Sequence, residues 1–420
     1  MELYSIYQKY PIICTDTRNI VPDSIFFALR GDNFDANAFA RTALDGGCAY
    51  AVIDNPQYAD DDRFILVNDV LTTLQNLARY HRQQTKTTVI AITGTNGKTT
   101  TKELIAAVLM QKYNIVYTQG NLNNHIGVPL TLLKIRPEHE FAIIEMGANH
   151  PKEIEALAAI AQPDYGLITN VGKAHLEGFG SFDGVKNTKG ELYEFIAANG
   201  KAAFLNQKNE YLNEMAQKAK LNEKIIPYRA AKEITASPFL EMTCITNQEL
   251  KVKTKLIGSY NAENVLAAVT LGNYFGVENS KIEQAIANYT PSNNRSQYIE
   301  TEHNKLIVDA YNANPSSMTE AIRNFAQIKA DKKMLILGDM LELGKQSADE
   351  HQSIIKLLED SGLANVLLVG RNFFATKSRF PKFENTEDLL EFLEDNRIEK
   401  QYILLKASRG IHLEKIIGKL

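Results

Sequence analysis

Short apolar runs alternate with amphipathic stretches along the chain, and the rhythm becomes regular at Val89 to Ile92. Before that point Ile12 to Thr15, Ser24 to Leu29, Ala49 to Asp54 and Arg63 to Val67 read as strands, and Phe39 to Asp45 and Val70 to Gln84 have helical spacing. Gln83 to Thr87 is polar and reads as a linker. From Thr88 onward strands are expected at Val89 to Ile92, Phe141 to Glu145, Tyr165 to Asn170 and Ala202 to Asn206. Helices are expected at Lys102 to Gln111, Leu192 to Ala198, Glu210 to Leu221 and Asn261 to Phe275, and Leu240 to Lys255 reads as a pair of strands. The PSNNRSQ stretch at Pro291 has loop composition. After it the alternation restarts, with strands at Lys305 to Asp309, Met334 to Leu337, Asn365 to Val369 and Tyr402 to Leu405 and helices at Thr319 to Ala330, Glu350 to Ser361 and Thr386 to Asn396. The pattern predicts an α/β chain of three domains at 1–84, 85–292 and 293–420: a small α/β unit, a central mostly parallel sheet, and a smaller doubly wound, Rossmann-like unit.

The junction TVIAITGTNGKTTT gives the central part a chemistry. A strand, a loop with Gly94, Thr95, Asn96 and Gly97, then Lys98, Thr99 and Thr100 opening a helix, make a phosphate cradle. Backbone N–H groups converge on an anion, the helix dipole favours it, and the lysine adds a point charge. The hydroxyl after the lysine suits Mg²⁺. Ile92 stands where the commoner pattern has its first glycine, so this is the shorter GTNGKT form.

Other candidates lie near expected strand ends. Glu145 closes a buried-type strand, the usual place for a second Mg²⁺ anchor in such ATPases. His175, in NVGKAH, is a metal ligand or a structural imidazole. Arg295 sits in the second boundary, where it could reach phosphates or simply be solvated. In DAYNANPSSM, Asn312 and Asn314 offer amides and Tyr311 a flat face, and in GNLNNHIGVPLTLL, Asn121, Asn123 and Asn124 could bind a polar ligand or cap a helix. Asp16, Thr17, Arg18, Gly31, Asp32, Asn33, Phe34 and Asp35 fall at or beside strand ends, as ligand contacts or as plain turn residues. Lys189, at an expected helix start, reads on its own as a surface lysine.

Composition narrows the field. The chain has 420 residues, 44% hydrophobic and 23% charged, with net charge −4, which argues against electrostatic capture of nucleic acid or an anionic membrane. No apolar run approaches a membrane span, the N-terminus does not read as a signal peptide, and Cys14, Cys48 and Cys244 fit a reducing compartment, so the cytoplasm is expected.

ITGTNGKTT, the acid of Glu145, the NVG…AH segment, the lysine of KGE and the GSYNAENVLAA helix, in this order, resemble the Mur ligase family over nearly the whole length. TDTR…FFALRG, GNLNNHIGVPLTLL, DAYNANPSSM, LGDMLELG and KASRG are more particular to the member that adds D-alanyl-D-alanine to UDP-N-acetylmuramoyl-tripeptide. The resemblance implies UDP-substrate, ATP and closing C-terminal domains in that order, an acyl-phosphate intermediate and a monomer. It implies two Mg²⁺ ions, one near Thr99 and Glu145, the other near His175 and Lys189, with a CO₂-derived carbamate on Lys189. Lys98, His175 and Lys189 are then catalytic. Gly94 to Thr100, Asn264, Arg295, Asp309 and Asn312 contact nucleotide. Thr17, Arg18, Gly31, Asn33, Asn123, Asn124, Lys406 and Ser408 contact substrate. The chain departs from the family at Pro22-Asp23-Ser24 for PGD, Asp35-Ala36-Asn37 for DGH, and Lys406-Ala407-Ser408 for Lys-Gly-Ser. A related amide ligase, such as another Mur enzyme or a folylpolyglutamate synthase, and a silent nucleotide-binding scaffold are the rival expectations.

Overall fold

The computed structural model describes residues 2–31, 33–292 and 294–420. Its strands gather into three main sheets that follow one another along the chain. The first is parallel, in the order Ile13–Cys14, Ile25–Phe27, Tyr50–Ile53, Phe64–Leu66. The helix Val70–Gln84 then leads across to the second sheet; Asp69 starts it by accepting the Thr72 N–H, which satisfies a donor the first turn leaves free.

The central sheet is six-stranded and parallel: Ile225–Pro227, Ala202–Leu205, Tyr165–Ile168, Thr88–Thr93, Phe141–Glu145, Ile115–Tyr117. Its middle strands are apolar on both faces because helices cover both; Val89, Ile90, Ala91 and Ile92 are fully buried. Burying such an Ile or Val contributes about 1.5–3 kcal/mol, so a charge at Ala91 would break the sheet's centre. Chain order reverses beside Thr88–Thr93, and the carboxyl end of that strand opens a crevice where α/β sheets take ligands. The third sheet runs Gln297–Glu300, Lys305–Asp309, Tyr402–Lys406, Lys333–Gly338, Val366–Val369, Lys382–Phe383, with only the first strand antiparallel. Among the described residues no helix is long and apolar enough to cross a membrane.

Three expectations need correction. The helix expected from Leu192 begins at Phe182, because the Ser181 hydroxyl caps it by accepting the Gly184 N–H. Lys189 therefore lies mid-helix and is 2% exposed, not a surface residue at a helix start. Gly184 and Gly190 dilute the apolar period there. The strand pair at Leu240 to Lys255 is a three-stranded antiparallel sheet, Ala230–Ala236, Phe239–Ile245 and Glu249–Ile257. Its first strand is an exposed edge without an alternating pattern. The helices Glu2–Lys9, Glu153–Ala161 and Asn279–Asn288 are additional to those expected.

Candidate functional site

The helix Lys98–Leu109 begins where Thr88–Thr93 ends, and Gly97, at φ 75°, turns the chain into it. A Cβ there would come within 2.6 Å of Asn264 Oδ1, and one on Gly94 within 2.0 Å of Thr169 Oγ1, so glycine is required at both positions. The loop is tied to the neighbouring strand end: Thr169 donates to Asn96 O (2.6 Å), and Asn170 Oδ1 accepts the Asn96 N–H (2.9 Å). Lys98 Nζ donates back to the carbonyls of Gly94 (2.7 Å) and Thr95 (3.0 Å). Burial pushes its ammonium down to about 8, against the pull of Glu145. No side chain caps the first turn of the helix, so its N–H groups and dipole face the crevice.

Glu145 ends the adjacent strand, 1% exposed. Its Oε1 accepts from the Thr99 hydroxyl (3.2 Å) and the Asn123 amide (2.8 Å). Its Oε2 is buried with no hydrogen-bond partner, and the nearest cation, Lys102 Nζ, is 3.7 Å away. A buried carboxylate oxygen left unbonded beside a threonine hydroxyl and a phosphate cradle has the donor chemistry of a Mg²⁺ site. Among the described residues no cluster of three or more His, Cys, Asp or Glu side chains stands ready for a metal. That suits Mg²⁺, which draws ligands from phosphate and water with one or two carboxylates.

His175, at φ 49°, precedes the short helix Leu176–Phe179, and its Nδ1 lies 2.5 Å from Glu342 Oε2, which holds the glutamate below the usual carboxylate range. Lys189 stands across Phe179: its Nζ is 5.3 Å from that ring's centroid and makes one long hydrogen bond, 3.3 Å to Ala148 O. Burial drives its pKa well down, and the positive charge of Lys98 adds to the effect. Asn264 accepts from Thr101 (2.9 Å) and donates to Asn261 (2.8 Å), which fixes it under Gly97.

The third sheet closes over this crevice. Asn314, which caps the helix Pro315–Gln327, donates to Asn96 Oδ1 (2.8 Å), and Lys173 pairs with Glu350 (2.7 Å). Arg295 stacks on Tyr311 with its guanidinium carbon 3.6 Å from the ring centroid. Lys406, 1% exposed, pairs with Asp309 (2.5 Å) and reaches Asn312 O (3.4 Å). The result is a cleft of about 1080 Å³ lined by Thr95 to Thr100, Asn123, Asn124, Glu145, His175, Asn264, Arg295, Asp309, Asn312 and Lys406 together.

Gly94 and Lys189 lie behind that lining. Ser408 spends its hydroxyl on Ala313 O (3.2 Å) and the Leu341 N–H (2.9 Å), and Asn124 Oδ1 accepts the N–H groups of Ile126 (3.1 Å) and Gly127 (2.9 Å) where the helix Gly127–Leu132 begins. Thr17 and Arg18 lie on the 3-10 turn Thr17–Asn19, Gly31 on a separate antiparallel pair of two-residue strands, Arg30–Gly31 and Phe34–Asp35, and Asn33 in a turn; none of them lines the cleft, and Asp32 lies outside the described residues. Two of the departures from the family pattern are held in place by local packing. Asn37 is fully buried, donating to Asp35 and Asp54 and accepting the Asp54 N–H, so it knots the loop together. Ala407 is buried against Gly338, where a second Cβ would sit 2.6 Å away. Lys102 and Glu342 escaped sequence reasoning. The helical period places Lys102 inward, and LGDMLELG was the only signal for Glu342.

Comparison with known proteins agrees with this geometry. The Mur ligase middle domain matches residues 92–272, and the Mur ligase glutamate ligase domain matches residues 294–409. The UDP-N-acetylmuramoyl-tripeptide–D-alanyl-D-alanine ligase of Escherichia coli K12 is 35% identical over 97% of this chain and 93% of its own length. The enzyme of the same name in Bacillus subtilis is 33% identical over 97% and 92%. A crystal structure of MurF from Acinetobacter baumannii superposes with a TM-score of 0.88 at 31% identity, covering all of this chain and 97% of that one. The chain belongs to the Mur ligase family, among its UDP-N-acetylmuramoyl-tripeptide–D-alanyl-D-alanine ligases.

Proposed function

We propose that this chain is an ATP-dependent ligase that joins D-alanyl-D-alanine to UDP-N-acetylmuramoyl-tripeptide, giving the pentapeptide precursor of peptidoglycan, ADP and phosphate. The observation that carries the reading is the phosphate cradle facing Glu145, whose free Oε2 lies within the same cleft as His175 and Lys406. Similarity to the Escherichia coli enzyme over 97% of the chain supplies the substrates.

In this reading residues 1–84 hold the UDP portion, 85–292 the ATP, and 293–420 close over both. The loop N–H groups and Lys98 fix the β- and γ-phosphates. The tripeptide's terminal carboxylate attacks the γ-phosphorus, the bond to the β-phosphate oxygen breaks, and ADP leaves. The amine of D-alanyl-D-alanine then adds to the acyl-phosphate carbonyl, loses its proton and expels phosphate. No side chain becomes covalently bonded, so the protein's share is positioning and charge.

Thr99 and Glu145 would hold one Mg²⁺ and His175 and Lys189 a second, and bound Mg²⁺ offsets charge on the phosphates. CO₂ adds to a neutral amine, the form that burial favours at Lys189, and the carbamate would give that lysine an anionic oxygen. Arg295, Asn264, Asp309 and Asn312 complete the nucleotide side, and Lys406, Asn123 and Asn124 the acceptor side, with Thr17, Arg18, Gly31 and Asn33 at the UDP end. Three free, buried cysteines support a reducing compartment, and the cytoplasm is the proposed location. The test is mass spectrometry of a mixture of tripeptide substrate, D-alanyl-D-alanine and ATP. Pentapeptide product with stoichiometric ADP is expected; ADP without pentapeptide would overturn the assignment.

A further inference from the structure

The LGDMLELG segment, Leu337 to Gly344, takes no part in the phosphate cradle, yet it carries a carboxylate into the same cleft. It is anchored along its length. Asp339 accepts the N–H groups of Asn372 (2.8 Å) and Phe373 (2.9 Å). Met340 donates its N–H to His351 Nε2 (3.1 Å), and Leu341 donates to Ser408 Oγ (2.9 Å). Glu342 follows at φ 62°, a left-handed conformation that a glutamate keeps only where its surroundings hold it. Gly344 packs on the side chain of Glu177 just beyond. The carboxylate of Glu342 is thereby delivered from the third sheet to within 2.5 Å of His175 Nδ1; its side chain is 53% exposed, and Glu342 is one of the residues that line the cleft.

The other acids of the cleft face other groups or are disfavoured as anions. Glu145 sits at the phosphate cradle, its Oε1 bonded to Thr99 and Asn123 and its unbonded Oε2 3.7 Å from Lys102 Nζ; Asp309 pairs with Lys406, and Glu153 accepts two backbone N–H groups. Burial raises Glu263 and Glu320 towards the neutral form. The incoming dipeptide presents an α-amine that is largely an ammonium at neutral pH. In a closed cleft that charge needs an anion within hydrogen-bond reach.

We propose that Glu342 receives the ammonium end of D-alanyl-D-alanine, so that selection for a free amine is carried by the LGDMLELG loop. The inference rests on the ligase reading above. Glu342→Gln is the informative variant, because glutamine keeps the size and an oxygen acceptor for the His175 ring and loses only the charge. Losing one charge-assisted hydrogen bond raises the KM for D-alanyl-D-alanine about ten- to a hundredfold, with the KM values for ATP and the UDP substrate within about twofold of wild type. Glu342→Asp falls between. N-acetyl-D-alanyl-D-alanine, which has no ammonium, inhibits wild type far less well than its affinity for the free dipeptide predicts, and Glu342→Gln treats the two alike. An unchanged KM for the dipeptide in Glu342→Gln overturns the proposal. So does an equal rise in all three KM values, which would assign Glu342 to docking the third sheet through His175. Wild-type protein in the same assay keeps the readings apart: no pentapeptide there overturns the ligase assignment itself, whatever the variant does.

Discussion

Lys189 and Arg18 carry the same formal charge and meet opposite fates. Lys189 is enclosed between helices, with a single long bond to a backbone carbonyl, and its surroundings push the ammonium towards neutrality. Arg18 stands in solvent, clasped to Asp16 at 2.7 Å, and that carboxylate holds its charge more firmly. The surroundings of the two differ in the same way. The cradle is assembled from several elements, with buried groups whose bonding is left incomplete, such as Glu145 Oε2. The first domain offers two- to four-residue strands and side chains that satisfy one another, as Arg30 does with Asp54 at 2.6 Å. On the reading proposed above, unfinished bonding under burial falls where bonds are exchanged during chemistry, and solvated mutual pairing where the UDP portion is only held.

The contrast can be broken most sharply at Lys189. Lys189→Ala should lower turnover by at least about a hundredfold, with partial rescue by added short carboxylic acids, which supply the missing anionic oxygen. Full activity without additive, measured by ADP release, would remove Lys189 from the chemistry and the carbamate with it.

A smaller effect concerns the loop that carries Glu342. His351 is fully buried beside the Phe373 ring; its Nδ1 donates to Ser347 O (2.7 Å), and its Nε2 accepts from Met340, so the neutral ring is required. Burial lowers its pKa although Asp339 and Glu350 pull the other way. As pH falls through about 6.5 the unfolded chain takes up the proton first, so stability declines from there until the folded value is passed. Melting temperature should therefore drop between neutral and mildly acidic pH, with buried His81 adding to the slope. His351→Gln should flatten that slope at a cost of about 1 kcal/mol at neutral pH, and an unaltered slope would exclude His351 as its source.

The smallest effect is expected at the exposed end. Arg18→Ala should leave the melting temperature unchanged and raise only the KM for the UDP substrate, severalfold. A drop in turnover at saturating substrate would erase the distinction between the two sites.

The sequence is most readable where physics leaves one solution. GTNGKTT between an apolar run and a helix announces its cradle, because strand, glycines and lysine must occur in that order. Glu145 could be picked out at a strand end, but its partners could not; that Asn123 bonds to it and Lys102 lies 3.7 Å away depends on a neighbouring strand and a helix face. Taken without the resemblance, Lys189 reads as a surface residue, because Gly184 and Gly190 blur the helical period that buries it. Thr17 and Gly31 kept their turn chemistry as a competing reading, since exposed polar residues make the same pattern with or without a ligand.

Lys98 donates to the carbonyls of the very loop it serves. In the proposed reading, nucleotide arrival is a change of partner: two carbonyls give up the ammonium and phosphate oxygens take it. The affinity of the cradle is the difference between those two sets of bonds, each worth about 0.5–1.5 kcal/mol to a neutral acceptor and more to a charged one. A lone weak anion gains little from the trade. A polyphosphate that also meets the loop N–H groups gains on every contact, so the resting loop already favours the ligand that can offer the most oxygens at once.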